Sequence, residues 1–190
     1  MELESVAVYL GSAAGDDPVY EEMATRVGEV IAKSGRTLVY GGSNVGCMAA
    51  VANGALAFGG DVMGVVPQKL ADNNIQHPDL TKLFVVQGMH ERKAHMIDLS
   101  DGFIALPGGP GTMEELFEVI SWKQVGYHDK PIGILNVNNY YDGLLDFLDF
   151  QVDHGFMHQQ YRDMLLVETD PEVLLEKMAA YEQTAEAKWK

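Results

Sequence analysis

The stretch GFIALPGGPGTMEELF, residues 102–117, contains the transition that decides the fold. An apolar run typical of a buried strand ends in a loop of three glycines and two prolines, and two acidic residues then begin a helical pattern. A strand that turns through glycines into a helix is half of a βαβ unit, and ligands of such sheets bind where the strands end. The stretch therefore predicts a parallel sheet and the position of a binding site.

The same alternation of strand and helix continues along the rest of the chain. Short apolar runs, each followed by a turn and a helical pattern, lie at residues 6–10, 37–40, 61–66, 83–86, 102–106 and 131–135. A helix is predicted from about residue 140 to residue 152, a last short strand at residues 164–168 and a last helix at residues 171–188. Continuous apolar strands are typical of sheets buried on both faces. We therefore expect one α/β domain, residues 1–190, with a doubly wound, mostly parallel sheet and helices on both faces.

Three of the predicted strands are followed by glycine-rich loops, at residues 11–15, 41–46 and 107–111. One such loop alone indicates only a tight turn, but parallel strands all end at the same edge, so the three loops are expected to lie together. Glycines let the backbone approach a ligand, and helix N-termini offer free N–H groups to an anion. No loop matches a Walker motif or the dinucleotide pattern G-x-G-x-x-G. The loops favour phosphate binding and give little support to NAD binding.

Glu114 and Glu115 lie side by side where the helix after the third loop begins. Adjacent helical residues point about 100° apart, so the two carboxylates are not expected to face one site. Two interpretations of Glu115 stay open. It folds back in a capping box with Thr112 as N-cap, or it stabilises a developing positive charge and orients water in a site.

Arg92 and Lys93 are predicted to lie at the start of the helix that follows residues 83–86. A charged pair on a helix usually forms a solvated face, whereas a place at the carboxyl edge of the sheet would let these cations meet an anion. His90 and His95 are five residues apart and point to different helix faces, so no metal site is expected there.

Two other segments have a predicted role. The lone Cys47 precedes a run of small residues and is expected to be packed in the interior. Residues 68–81 form the longest irregular stretch, and one interpretation is a flap over the site.

The composition argues against several kinds of partner. The formal net charge is −15 and the pI is near 4.6, which disfavours nucleic acids and anionic membranes. No apolar run approaches the ~18 residues of a membrane span, and the first residues lack the basic pattern of a signal peptide. A single cysteine excludes an internal disulfide. We expect a cytoplasmic protein with no metal, no resident cofactor and no nucleic-acid or membrane partner.

Three segments together resemble the LONELY GUY (LOG) family: GMHERKAHM at residues 88–96, LPGGPGTMEELFEV at residues 106–119 and YGGSNVGCM at residues 40–48. These proteins are the cytokinin riboside 5′-monophosphate phosphoribohydrolases, many once labelled possible lysine decarboxylases. The family signature P-G-G-x-G-T-x-x-E is matched in full from Pro107 to Glu115, and its arginine-lysine element is matched by Arg92 and Lys93. The resemblance covers residues 6–178, nearly the whole chain.

The resemblance implies a Rossmann-like protein, usually a homodimer, that hydrolyses the N-glycosidic bond of a nucleoside 5′-monophosphate to a free base and ribose 5-phosphate. It implies that Arg92 and Glu115 form the catalytic pair. The residues implied in binding the small-molecule nucleotide are Ser12, Gly42, Met89, Lys93, Gly108, Gly109, Gly111 and Thr112.

This chain also departs from the family pattern. The upstream loop of the family usually reads G-G-G-x-x-G-L-M-G, and here Ser43, Cys47 and Ala49 replace a glycine, the leucine and the last glycine. Asn74 stands where many members have a glutamate in the flap. These replacements touch the expected pocket wall, so the preferred base stays open.

Three other functions remain as alternatives at this point. The altered loop of residues 41–49 is also compatible with a nucleotide sensor of the same fold that has no catalytic activity. A nicotinamide oxidoreductase lacks its fingerprint, and a pyridoxal-phosphate lysine decarboxylase rests on the older family label alone. The nucleotide hydrolase is the hypothesis that accounts for the glycine loops, the acids and the cations together.

Overall fold

A computed structural model describes residues 2–182 of the chain. Seven strands form one sheet in the order β4-β3-β2-β1-β5-β6-β7, and every neighbouring pair is parallel. The strands are β1 (Ser5–Tyr9), β2 (Thr37–Tyr40), β3 (Val62–Pro67), β4 (Lys82–Val86), β5 (Gly102–Ala105), β6 (Ile132–Leu135) and β7 (Leu165–Glu168). The predicted parallel sheet is confirmed.

Helices connect the strands. They are α1 (Val19–Lys33), α2 (Gly46–Ala57), α3 (Gln68–Ala71), α4 (Met89–Asp98), α5 (Pro110–Gln124), α6 (Asp142–Asp153), α7 (Gln159–Asp163) and α8 (Pro171–Ala179), with a short 3₁₀ helix at Val137–Asn139. None of these helices is long and apolar enough to cross a membrane.

Two apolar clusters cover the two faces of the sheet, as the continuous apolar strands predict. Val6 and Val8 of β1 belong to one cluster, and Ala7 and Tyr9 belong to the other, because alternate residues of a strand point to opposite faces. Helices α1, α2 and α8 contribute to the first cluster, and α4, α5, α6 and α7 contribute to the second. The expected helices on both faces are confirmed.

Helices α1 and α2 pack backbone to backbone, which explains the small residues of α2. A Cβ added at Gly28 of α1 would lie 2.0 Å from the carbonyl oxygen of Val51, and one added at Gly54 of α2 would lie 2.1 Å from that of Thr25. Real Cβ atoms do not approach so closely, so only glycine fits at these two points. This contact fixes α2 and the glycine loop that precedes it.

The strand order reverses at the centre of the sheet. The chain runs outward from β1 to β4 and then returns, through α4, to β5 on the other side of β1. The loops after β1 and β5 therefore leave the sheet on opposite sides of a crevice, which is where ligands of open parallel sheets bind.

Two segments differ in detail from the predictions. The last helix ends at Ala179, so its predicted extension to residue 182 is wrong, and residues 183–188 lie outside the described part of the chain. The next residues place the Tyr181 ring 4.4 Å from Nζ of Lys123 on α5. Helix α6 begins at Asp142 and not near Tyr140, because Asn138 and Asn139 adopt positive φ angles of 49° and 59° just before it.

The irregular segment at residues 68–81 is anchored to the second glycine loop. It begins with α3 and then pairs with that loop, since the N–H of Asn44 donates to the Ile75 carbonyl at 2.8 Å and the N–H of His77 donates to the Gly42 carbonyl at 2.9 Å. The His77 ring is buried and contacts Asn53 of α2 at 3.0 Å. The segment interpreted as a flap is therefore held to its neighbours by backbone hydrogen bonds and by the His77 side chain.

Candidate active site

The loops after β1 and β5 enclose two adjoining cavities at the crevice. The first, about 210 Å³ in volume, contains Arg92 and Glu115 and is named here the glutamate cavity. The second, about 300 Å³, is lined by Tyr20 and Tyr140 and is named the tyrosine cavity. Gly11, Ser12 and Gly109 line both cavities.

Most of the residues implied by the family resemblance lie around these cavities. The glutamate cavity is lined by Ser12, Arg92, Gly109, Gly111, Thr112 and Glu115, and Gly108 lines the tyrosine cavity. Gly42, Met89 and Lys93 line neither cavity. The Gly42 backbone, with φ of 76°, packs against β3, and the Met89 side chain at the start of α4 is exposed.

A buried ion pair joins the helices α4 and α5. Nη1 of Arg92 lies 2.9 Å from Oε1 of Glu115, and the side chains are only 9% and 7% exposed. Nε of Arg92 donates a second hydrogen bond to the Val65 carbonyl at 3.1 Å. A Cβ added at Gly41 would lie 2.0 Å from Nη2 of Arg92. The second glycine loop thus makes room for the guanidinium, and the solvated helix face suggested for Arg92 is wrong.

The environment of Glu115 favours a basic carboxylate. Burial raises the pKa of Glu115 above its ordinary value, and the charge and hydrogen bond of Arg92 oppose this rise only in part. A carboxylate with a raised pKa is a stronger base than an exposed one. The structure therefore places a carboxylate suited to accept a proton beside a fixed positive charge.

The capping-box interpretation of Glu115 is wrong. Helix α5 begins at Pro110, its N-cap is Gly109, and no side chain caps it. Thr112 is buried and packs on Gly108, where an added Cβ would lie 2.1 Å from the threonine Oγ1. Proline is favoured in the first turn of a helix, so the helix begins before Thr112 and Glu115 is free to face Arg92.

Free N–H groups surround the start of α5. Within residues 2–182, the N–H groups of Gly109, Gly111 and Thr112 have no hydrogen-bond acceptor, as expected for a first helical turn. A Cβ added at Gly109 or Gly111 would meet no atom within 4 Å. Open space therefore lies next to free donors at the positive end of a helix dipole, which suits an anion.

Lys93 is buried beside two other carboxylates, so the solvated face suggested for it is also wrong. Its Nζ lies 2.8 Å from Glu114 and 3.2 Å from Glu118. Burial alone would lower the pKa of Lys93, but hydrogen bonds to Glu114 and Glu118 raise it overall. The hydrogen bond to Lys93 lowers the pKa of Glu114. Glu114 and Glu115 thus serve different cations, as their angular separation on the helix predicts.

None of the residues that depart from the family pattern lines the glutamate cavity, and Cys47 lines the tyrosine cavity. Cys47 is buried, as predicted, and its Sγ lies 3.8 Å from the Ala14 carbonyl oxygen. Burial raises the pKa of this thiol, which disfavours the reactive thiolate. Ser43 pairs with Gln76 of the 68–81 segment, and Asn74 adopts a φ of 54° in a turn of the same segment.

Sequence reasoning missed two residues of the site. Gly41 makes room for Arg92, and the hydroxyl of Tyr140 donates to the Gly108 carbonyl at 2.7 Å. The two asparagines before Tyr140, at the end of β6, were the available signal of an unusual turn at the ligand edge. Within residues 2–182, no group of three or more histidine, cysteine, aspartate or glutamate side chains is placed to hold a metal ion.

The fold and the cavities define a Rossmann-like α/β protein with a crevice at the carboxyl edge of its sheet. Among solved structures, the molybdenum cofactor binding protein of Rippkaea orientalis matches with a TM-score of 0.73 over 95% of this chain and 98% of its own, at 23% identity. The Moco carrier protein of Chlamydomonas reinhardtii matches with a TM-score of 0.71 over 94% of this chain and 99% of its own, at 21% identity. These likenesses show the fold alone.

Sequence comparisons show the family. The family model described as possible lysine decarboxylase matches residues 48–178. The cytokinin riboside 5′-monophosphate phosphoribohydrolase LOG5 of Arabidopsis thaliana is 43% identical over 93% of this chain and 77% of its own length. The enzyme of the same name from Rhodococcoides fascians is 45% identical over 89% of this chain and 86% of its own. This chain therefore belongs to the LONELY GUY family of phosphoribohydrolases.

Proposed function

We propose that this protein hydrolyses the N-glycosidic bond of a nucleoside 5′-monophosphate, a cytokinin riboside 5′-monophosphate, AMP or both, to a free base and ribose 5-phosphate. The buried pair of Arg92 and Glu115, 2.9 Å apart in the glutamate cavity beside the free N–H groups of α5, carries this proposal. The names of the 40–45% identical relatives support it.

In this proposal, the third glycine loop, at residues 107–111, binds the phosphate end of the substrate. The N–H groups of Gly109, Gly111 and Thr112 are free and border open space, and a dianion gains from both these donors and the helix dipole. Ser12 lines the same cavity from the β1 loop. Anchoring the phosphate holds the ribose in one orientation relative to Glu115.

Glu115 acts on the other end of the ribose. As the bond from C1′ to the base nitrogen breaks, its electron pair leaves with the base and positive charge develops on the ribose ring. A fixed carboxylate stabilises that charge and accepts a proton from the water whose oxygen bonds to C1′. The proton then passes to the base nitrogen. Arg92 keeps the buried carboxylate ionised, since its charge and hydrogen bond lower the pKa that burial raises.

Replacement of Glu115 by glutamine tests this role. The glutamine keeps the size of the side chain and removes the charge, so Glu115→Gln is expected to keep ligand binding and to lose turnover by roughly 100-fold or more. The matched control is Glu114→Gln, whose side chain is 58% exposed and is expected to keep turnover within about threefold of wild type. Release of ribose 5-phosphate from AMP by Glu115→Gln at the wild-type rate would contradict the assigned role.

The preferred base is tested with a panel of 5′-monophosphates that includes AMP and isopentenyl-AMP, scored for the released base by chromatography. Release is expected from at least one monophosphate and at a far lower rate from the matching nucleoside, because the nucleoside lacks the group that the glycine loop binds. A protein that binds these nucleotides and never releases a base would be a sensor and not a hydrolase.

The proposal includes a cytoplasmic homodimer. Leu83 and Val85 on the edge strand β4 are 38% and 46% exposed, and Met89 at the start of α4 is 46% exposed. Such apolar side chains are typical of surfaces that a second copy covers. Light scattering after size exclusion is expected to give twice the 20.9 kDa mass of the chain, and a mass equal to one chain at micromolar concentration would contradict the dimer.

A further inference from the structure

Leu106 and the third glycine loop, residues 107–111, are together named here the phosphate loop. Three of its consecutive carbonyl groups each accept a hydrogen bond from a donor outside the loop. The carbonyl of Leu106 accepts from the Tyr141 hydroxyl at 2.5 Å. The carbonyl of Pro107 accepts from the N–H of Gly11 at 3.1 Å, and that of Gly108 accepts from the Tyr140 hydroxyl at 2.7 Å. No carbonyl in this run is left to face the cavity without a partner.

These hydrogen bonds determine which way the N–H groups point. In a trans peptide the C=O of one residue and the N–H of the next point in opposite directions, and the described chain has no cis peptide bonds. Holding the Gly108 carbonyl on Tyr140 therefore turns the Gly109 N–H away from that tyrosine. A rotated peptide would instead present a carbonyl oxygen to a bound anion, which is repulsive.

Neighbouring residues support the position of Tyr140. It follows two asparagines with positive φ, a backbone geometry that asparagine tolerates better than most residues. The Asn136 side chain accepts from the N–H of Tyr141 and donates to Asp142, both at 2.7 Å. The ring of Tyr20 packs edge-on against Tyr140 at 5.9 Å. The turn is thus supported at both ends, although the Tyr140 side chain is nearly half exposed.

We propose that Tyr140 is a positioning residue that keeps the phosphate loop in its anion-receptive orientation. It does so through the Gly108 carbonyl and does not react with the substrate. This inference rests on the proposed function, because it assumes that the loop binds the 5′-phosphate. It assigns a role to a side chain that lies 25 residues after Glu115 and outside the family signature.

The variant Tyr140→Phe tests the proposal, since it removes one hydroxyl and keeps the ring that packs on Tyr20. Calorimetry with ribose 5-phosphate, which the protein cannot hydrolyse, is expected to show a dissociation constant raised roughly 3- to 10-fold, the effect of losing one hydrogen bond. The KM for AMP is expected to rise by a similar factor with a smaller change in kcat. The control Tyr127→Phe changes a tyrosine that is 79% exposed outside both cavities and is expected to match wild type.

Binding of ribose, which lacks the phosphate, separates positioning from a general loss of structure. The ratio of ribose 5-phosphate affinity to ribose affinity is expected to fall in Tyr140→Phe, whereas a folding defect would weaken both ligands alike. Wild-type phosphate binding by Tyr140→Phe would overturn the positioning role and leave the hydrolase proposal intact. A wild-type protein that binds ribose 5-phosphate but releases no base would refute the hydrolase, and the positioning role of Tyr140 would still be decided by the affinity ratio. If wild type does not bind ribose 5-phosphate, the positioning role fails, and the hydrolase proposal is still decided by base release from AMP.

Discussion

Glu115 and Arg92 owe their properties to what surrounds them. The carboxylate is buried, which raises its pKa, and its partner is the guanidinium that lies against Gly41. A pair broken on one side would leave an uncompensated buried charge. Arg92 therefore helps to keep Glu115 ionised, and replacing either side chain removes the ion-pair partner of the other.

A pH profile of kcat/KM tests this dependence. Because the pKa of Glu115 is raised, its reactive carboxylate is present above that pKa and is lost as the pH falls through it, so the acid limb should lie above pH 4.5, the ordinary value. Arg92→Met removes the main influence that lowers this pKa, and the residual activity is expected to show its acid limb at a higher pH. The control Arg26→Met alters a distant surface pair and should leave the limb in place. An unmoved limb in Arg92→Met would contradict the coupling.

The residue pattern predicted these two side chains but not their contact. Their positions in the family motifs identified them, whereas spacing alone equally allowed a capping box and a solvated cation. Burial decides between those alternatives, and burial depends on how α4 crosses the sheet, which no local pattern contains. The contacts of Arg92 with Gly41 and with the Val65 carbonyl could not be predicted for the same reason.

Among the elements, helix α2 is placed by its closest neighbour. The glycines at positions 28 and 54 let α1 and α2 approach until each Cα faces a carbonyl of the other helix. Since α2 begins directly after the second glycine loop, this contact also sets where Gly41 lies relative to Arg92.

Alanine substitutions test the helix contact. Gly28→Ala would place a methyl group 2.0 Å from a backbone oxygen, and we expect a loss of about 1–3 kcal/mol in the free energy of unfolding. Gly143→Ala, in α6, meets no atom within 4 Å and is expected to be neutral or stabilising by up to about 1 kcal/mol. Urea denaturation measures both variants. Equal stability of Gly28→Ala and wild type would show that the helices can separate at little cost.

The helices and strands could be predicted where the hydrophobic periodicity agrees with the residues that start or stop a helix or a strand. The strands, and the helices that begin near proline or end near glycine, follow from local pattern, as for α1 between Pro18 and Gly35. The start of α6 was not predicted correctly. The two asparagines before Tyr140 indicate an unusual turn, but only the structure shows that the helix then begins at Asp142. Helix α8 ends at Ala179, and Tyr181 just beyond it contacts Lys123 of α5, a tertiary contact that the local pattern does not contain.

At the scale of the whole molecule, an acidic protein is proposed to bind an anion. The net charge is −15, and the cations nearest the site are already paired, Arg92 with Glu115 and Lys93 with Glu114 and Glu118. Attraction is therefore left to backbone N–H groups, which act only at short range, while the long-range field repels the substrate.

Ionic strength tests this balance. Salt screens the long-range repulsion more than the short-range contacts, so kcat/KM for AMP is expected to rise about two- to fivefold between roughly 10 mM and 150 mM NaCl. Binding of ribose, which carries no charge, serves as the control and should change little. A fall in kcat/KM over the same range would mean that a positive local field dominates at the cavities.

The overall order of the strands could not be derived from the pattern along the chain. The alternation of strands and helices predicted a parallel sheet with the glycine loops at one edge. However, β1 occupies the centre of the sheet only because the chain reverses direction across the sheet after α4. That reversal selects which two loops form the crevice, and it is a property of the assembled sheet.

The reversal also divides the molecule into two pieces of different content. Everything up to α4 supplies Arg92, and everything from β5 onward supplies Glu115. A chain severed in the connection between α4 and β5 would yield two fragments that each lack one member of the pair. If those fragments were fused to two proteins that bind each other, base release would report that binding. The pairing of β1 with β5 is the contact that the two fragments would have to form again.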